Sequence, residues 1–143
     1  MFYVTNTDCK INLTGVTLKN QDNDSYLMNI CGNSASKGWG AAGSNGADVT
    51  FTASKQNLKG DIIVDTISTL NMKLTKDSIF TGTINIVDNE EGGTAVDNNA
   101  VVTIDSGSTW NLTGDCTITS LTNNGTINFN GYTITLADGT VLN

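Results

Sequence analysis

The chain has no histidine, no arginine and no proline in its 143 residues. Without His, neither a Ser-His-Asp nor a Cys-His nucleophile pair can be assembled, and zinc loses its commonest ligand. Lys supplies every basic side chain, and the balance against Asp and Glu leaves a net charge of −7. A nucleic-acid binder carries a basic patch, and none is visible. An acidic membrane surface would repel this chain. No Gly-rich loop ends in Gly-Lys-Ser or Gly-Lys-Thr, so there is no phosphate loop of that kind. No apolar run approaches 18 residues, so no transmembrane helix is expected.

Other residue types are merely scarce. Only 6% of the chain is aromatic, and its three cysteines, Cys9, Cys31 and Cys116, are scattered. Three thiols allow one disulfide and leave one over, and their spacing is not that of a metal site. The simpler role is that of a small buried hydrophobe. Cys116 fits it, because it falls in the apolar register of "DCTIT". The opening "MFYVTNTDCK" has no basic segment followed by an apolar one, so it is not a signal peptide. It reads as a strand already under way, which suggests a chain cut from a longer protein or one whose leader has been removed.

What is abundant is small and polar. Thr and Asn account for 41 of the 143 residues, and Gly adds 15. These residues interleave with Ile, Val and Leu, which a disordered chain would not do. The dominant period is two, the period of a half-buried strand. "KINLTGVTL" places Ile11 and Leu13 on one face, resuming with Val16 and Leu18. "DVTFT" does the same with Val49 and Phe51, "TLNMKL" with Leu70, Met72 and Leu74, and "TINI" with Ile84 and Ile86. "TWNL" aligns Trp110 with Leu112, and "YTITL" aligns Tyr132, Ile134 and Leu136. No window carries helical spacing, so almost no helix is expected.

Phrases recur. "STLNMKL" begins at Ser68 and "STWNLTG" at Ser108. "GTINI" begins at Gly82 and "GTINF" at Gly125, so the two phrases occur twice in the same order. Strand groups of roughly 20 residues would make the 40-residue offset two turns of a coil. An antiparallel sandwich is the other architecture for such short strands, and "LTNNGTI" carries the Asn-Gly of a type I′ hairpin. The directional repeat favours the coil. Stacking also accounts for Thr and Asn, whose side chains can form hydrogen-bonded ladders at the spacing of adjacent strands, about 4.8 Å. The expected fold is therefore all-β: a right-handed parallel β-solenoid (β-helix) of about 20 residues per coil, forming one domain over residues 1–143. Three stretches break the rhythm as loop excursions or turns: Lys19 to Ser25, Cys31 to Asp48 and Val87 to Ala100.

"GADVTFTASKQNLKGDIIVDTISTLNMKLTKDSIFTGTINI", Gly46 to Ile86, is followed by "STWNLTGDCTITSLTNNGTINFNGYTITLADG", Ser108 to Gly139. Together they resemble the right-handed parallel β-helix regions of large surface proteins of anaerobic gut bacteria. These include adhesins, autotransporter-type passengers and a carbohydrate-binding β-helix family. The likeness is one of repeat style and brings no catalytic motif. It implies an extracellular or cell-surface location.

Pectin-degrading enzymes share this fold. "NTD", Asn6 to Asp8, matches one short piece of the polygalacturonase pattern, but the paired Asp, the Gly-His-Gly and the Arg-Ile-Lys are missing. Glu90 and Glu91 are adjacent on a Gly-rich loop, where neighbours seldom hold the fixed separation that glycoside hydrolysis needs. No enzyme activity is expected. No cofactor is required either, and calcium is the one candidate. Asp22 and Asp24 form one oxygen-rich cluster; Asp88, Glu90, Glu91 and Asp97 form a second. Solvated polar turns are the competing account of both.

Carbohydrate binding needs an exposed aromatic beside amides and hydroxyls. Trp39, between Gly38 and Gly40, is the candidate platform, with Asn33 and Asn45 nearby in sequence; its alternative is an anchor folded onto the coil. Trp110, Tyr26 and Tyr132 are expected in the core. Outward Thr-x-Thr pairs resemble ice-binding arrays, but Asn, Lys and Asp interrupt them. The expected function is a non-enzymatic surface or secreted module, an adhesin, glycan-binding domain or stalk, whose partner is a glycan or host-surface ligand. Neither end shows a helix or charged plug, so self-association through uncapped coil ends is the alternative. No nucleic-acid partner and no membrane insertion are expected.

Overall fold

Alternation of apolar and small polar residues produces sixteen short strands and no helix in the computed structural model, among the described residues, which are 1–19, 26–34, 38 and 40–143. In chain order these are β1 (Phe2–Val4), β2 (Asp8–Thr14), β3 (Met28–Ile30), β4 (Asp48–Ser54), β5 (Asn57–Lys59), β6 (Ile62–Asp65), β7 (Thr69–Thr75) and β8 (Ile79–Thr81). There follow β9 (Ile84–Val87), β10 (Ala100–Ile104), β11 (Thr109–Asn111), β12 (Cys116–Ile118), β13 (Ser120–Asn123), β14 (Thr126–Asn128), β15 (Ile134–Leu136) and β16 (Val141–Leu142).

The strands form three sheets. The first runs β1-β3-β6-β9-β12-β15-β16, the second β13-β10-β7-β4-β2 and the third β14-β11-β8-β5. From β4 to β15 the chain visits the second, third and first sheets in strict rotation, and these strands pair in parallel. Parallel neighbours are therefore one circuit apart in sequence. Asp48 pairs with Thr69 and Ile62 with Ile84, offsets of 21 and 22. Val101 pairs with Ser120 and Cys116 with Ile134, offsets of 19 and 18. Where the segment between β9 and β10 intervenes, the offset grows to 30, as between Leu70 and Ala100. The exception to parallel pairing is β16, which turns back antiparallel on β15 and covers the edge of the first sheet.

This register corrects the repeat read from the sequence. Ser68 leads into β7 of the second sheet and Ser108 into β11 of the third. Gly82 leads into β9 of the first sheet, whereas Gly125 leads into β14 of the third. The phrases are alike because every corner needs a small residue before a period-two strand, whichever sheet follows. Nor is "LTNNGTI" a hairpin: β13 and β14 lie in different sheets. The Asn-Gly is a corner, with the Gly125 N–H bonded to Asn123 Oδ1 at 3.0 Å.

Inward side chains stack in rows across the circuits. In the second sheet Val49, Leu70 and Ala100 form one row, and Phe51, Met72 and Val102 the next. In the third, Leu58, Phe80 and Trp110 align, with Ile127 half-buried beyond them. One apolar cluster joins all three sheets. Each buried Val, Leu, Ile, Phe or Met in these rows contributes roughly 1.5–3 kcal/mol through burial. Outward residues form the expected polar ladder in the third sheet: Asn128 Nδ2 donates to Asn111 Oδ1 at 2.7 Å, and Asn111 Nδ2 to Thr81 Oγ1 at 3.3 Å. Elsewhere Asn pairs with Thr, as in Thr117 Oγ1 to Asn85 Oδ1 at 2.9 Å.

Three apolar assignments fail. Val16, Tyr26 and Tyr132, expected inward, are all exposed. Val16 lies past the end of β2, and Tyr132 follows the Asn130–Gly131 turn, where both residues have positive φ and alternation is lost. Cys116 is buried as expected, while Cys9 and Cys31 are half-buried. No helix among the described residues is long and apolar enough to cross a membrane.

Candidate functional site

The outer face of the first sheet carries a groove of about 350 Å³. Its floor follows from strand register. Tyr3 on β1 aligns with Asn29 on β3, and Asn29 with Ile63 on β6. One step along, Asp65 aligns with Val87. In β6, Ile62 and Val64 point into the core, so the intervening Ile63 and the terminal Asp65 point outward. Cys31, just past β3, completes the floor, Tyr26 contributes the aromatic flank, and residues 88–91 form the opposite wall.

Asp65 is outward-pointing yet only 1% exposed, because loops cover it. Its Oδ2 accepts the Gly32 N–H at 2.7 Å and Asn89 Nδ2 at 2.5 Å. Its Oδ1 is buried and, among the described residues, has no hydrogen-bond partner. Buried carboxylate oxygens are nearly always satisfied, so this one calls for an explanation. Asn89 also accepts the Glu91 N–H at 3.0 Å and donates its own N–H to Thr66 Oγ1 at 3.1 Å, which fixes the wall. Further along, Asn99 Nδ2 reaches the carbonyls of Asp65, Thr66 and Ser68 within 3.2 Å. The excursion between β9 and β10 is thus clamped at both ends by amides. It also lies against the segment around Gly43, since a Cβ on Gly93 would sit 2.1 Å from Gly43 O.

On the other flank Tyr3 donates its hydroxyl to Asn33 Oδ1 at 2.6 Å, and Asn33 Nδ2 reaches Thr5 Oγ1 at 2.6 Å. Desolvation of the phenol, then its hydrogen bond with Cys31, push the Tyr3 pKa up to about 12, so it stays a neutral donor across the physiological range. Its ring is half exposed, as is that of Tyr26. The groove therefore combines two aromatic faces, an amide, a thiol and a carboxylate with one unused acceptor. It can hold a polar ligand that has an apolar face.

The residues singled out from sequence are dispersed by the fold. Asp88, Glu90 and Glu91 meet at the groove wall and are exposed, while Asp97 is exposed further along the loop and does not line the groove. Among the described residues no three His, Cys, Asp or Glu side chains converge as metal ligands. Asp22, Asp24 and Trp39 lie outside the described residues. Asn33 and Asn45 are buried, and they are joined, with Asn45 Nδ2 donating to the Asn33 carbonyl at 3.0 Å. Asn33 therefore acts beneath the groove, by holding Tyr3.

Sequence reasoning passed over Asp65, Tyr3 and Tyr26. One signal was present: in "IIVD" the acid ends an otherwise apolar strand on the outward phase. Its partner Asn89 lies 24 residues away, and no local pattern joins the two. The chain matches no protein-family model, no curated protein and no solved structure.

Proposed function

We propose that the chain is a right-handed parallel β-solenoid of about 20 residues per coil, acting as a non-enzymatic, carbohydrate-binding module of a secreted or cell-surface bacterial protein. From β4 to β15, apart from pairs that span the segment between β9 and β10, the partner spacings of 17 to 22 residues support the coil. The observation that carries the binding role is the groove on the first sheet. There the half-exposed rings of Tyr3 and Tyr26 stand beside Asn29 and Asp65. A sugar ring has an apolar face for an aromatic and an edge of hydroxyls for amides and carboxylates. The lack of His and Arg and the exposed setting of Glu90 and Glu91 support binding without catalysis. An adhesin or stalk that holds a host or microbial glycan is the corresponding role. The test is a glycan array probed with the purified chain and with Tyr26→Ala. Retention that Tyr26→Ala abolishes is expected; no retention of any glycan by the unaltered chain would overturn the reading.

End-to-end self-assembly is a second reading, favoured by one observation. At the β13/β14 side Leu121, Ile127, Phe129 and Leu142 remain half-buried around an open cavity, and among the described residues β2 is the edge strand at the opposite end of the second sheet. Open edges and bare core invite a further strand layer. Light scattering across a concentration series distinguishes the two: growing oligomers support assembly, and a constant monomer mass removes it.

A further inference from the structure

We propose that the groove selects a sugar carrying a free ammonium, a hexosamine unit, with Asp65 Oδ1 as the acceptor for that ammonium. The proposal rests on the carbohydrate reading above and names its ligand class.

Three observations converge. Asp65 is almost fully buried on the groove floor, and two N–H groups satisfy Oδ2, while among the described residues Oδ1 has none. A buried charged oxygen without a donor is costly. A ligand that brings an N–H donor removes that cost, and a charged donor makes the stronger bond. One open acceptor suits a donor group on a ligand; a bare calcium ion wants six to eight oxygens.

The second observation is charge. Asp65, Asp88, Glu90 and Glu91 all line the groove, and among the described residues no lysine does. This field attracts a cationic sugar and repels uronic or other acidic sugars. The third is aromatic. The half-exposed rings of Tyr3 and Tyr26 border the same cavity. An aromatic face attracts a nearby cation as well as the apolar face of a sugar ring. The hydrogen bond to Asn33 holds Tyr3 in place without using its ring face.

Titration calorimetry with three tetrasaccharides tests this: β-1,4-linked glucosamine, its fully N-acetylated form, and the β-1,4-linked glucose tetramer. The glucosamine tetramer should bind at least tenfold more tightly than the other two, and its affinity should fall as salt rises. Asp65→Asn keeps an acceptor for Gly32 and Asn89 but replaces the free oxygen with a donor, so the preference should disappear. Should that variant fail to fold, the double variant Glu90→Gln with Glu91→Gln, both exposed, should lower glucosamine affinity severalfold and that of the neutral tetramers by clearly less. Equal binding of all three tetramers would overturn the ammonium anchor and leave carbohydrate binding standing. Binding of none of them, with an empty glycan array, would remove the carbohydrate reading and this proposal together. Binding of none, with a positive array for neutral or acidic glycans, would overturn this proposal alone.

Discussion

Ser108 Oγ accepts the backbone N–H of Ser78 at 3.2 Å, and both serines are fully buried. Ser78 Oγ accepts the Gln56 N–H at 3.1 Å and donates to the Thr75 carbonyl at 2.6 Å. The two serines form a stair that climbs the corner between the second and third sheets. At such a corner the chain changes direction, and backbone groups leave the ladder. A hydroxyl is small enough to fit and able both to donate and to accept.

Ser78→Ala therefore strands the Gln56 N–H in the interior, while the Thr75 carbonyl keeps the Lys55 N–H at 3.3 Å. A cost of about 1–3 kcal/mol is expected. By contrast Asn71→Ala, on the exposed face of β7, should stay within about 0.5 kcal/mol. Urea denaturation of the two variants checks this, and equal midpoints would remove the stair from the account of stability.

The third sheet holds the bulkiest part of the core. The Trp110 and Phe80 ring centroids are 5.8 Å apart, and Trp110 Nε1 donates to the Gly82 carbonyl at 3.0 Å. Trp110→Ala opens a cavity and strands that carbonyl, so about 3–5 kcal/mol should be lost. Trp110→Phe keeps most of the volume and loses the hydrogen bond; it should cost less than half as much. Thermal or urea unfolding measures both, and a Trp110→Phe loss equal to that of Trp110→Ala would show that the bond outweighs the packing.

Two glycines separate crowding from backbone strain. Gly82 has φ of 155°, and a Cβ there would lie 2.3 Å from the Gly60 carbonyl oxygen on the next circuit. Gly131 has φ of 88° with nothing within 4 Å of its would-be Cβ. Gly131→Ala should cost only the left-handed backbone penalty, roughly 1–2 kcal/mol. Gly82→Ala must also push two circuits apart, so its loss should be at least twice as large. Similar losses would mean that adjacent circuits separate easily.

The legible part of this fold is the part written with period two. Phe51, Met72 and Trp110 could be placed inward from alternation alone, and all three are fully buried. Which sheet a strand joins was not legible. Ser68 and Ser108 open nearly the same phrase and enter different sheets, because corner chemistry is the same at every corner. The stair of Ser78 and Ser108 was hidden for the same reason: a serine before a strand reads as a turn. The groove was still less visible. Asp65 gains its role from Gly32 and Asn89, which the register brings together from 33 and 24 residues away. Tyr26 sits before β3, where alternation has not begun.

Cys116 gives the fold a pH dependence of definite sign. Burial pushes its thiol up from 9.0 to about 11, with smaller contributions of the same sign from Asp61 and Asp115. The folded chain therefore keeps this proton through a window in which the unfolded chain releases it. Below pH 9 both states hold the proton, and nothing is lost. Between pH 9 and 11 the unfolded state gains by ionising, so stability falls as pH rises. At about 1.4 kcal/mol per unit, the loss approaches 3 kcal/mol at the top of the window. Tyr3 shifts in the same direction, so the comparison must be made against a variant that leaves Tyr3 intact. Urea midpoints at pH 8, 9.5 and 11 for the unaltered chain and for Cys116→Val supply it. The valine variant should show the shallower alkaline decline. Parallel declines would mean that the thiol is solvated enough to ionise in place, and that the corner beside Gly114 opens more readily than its burial implies.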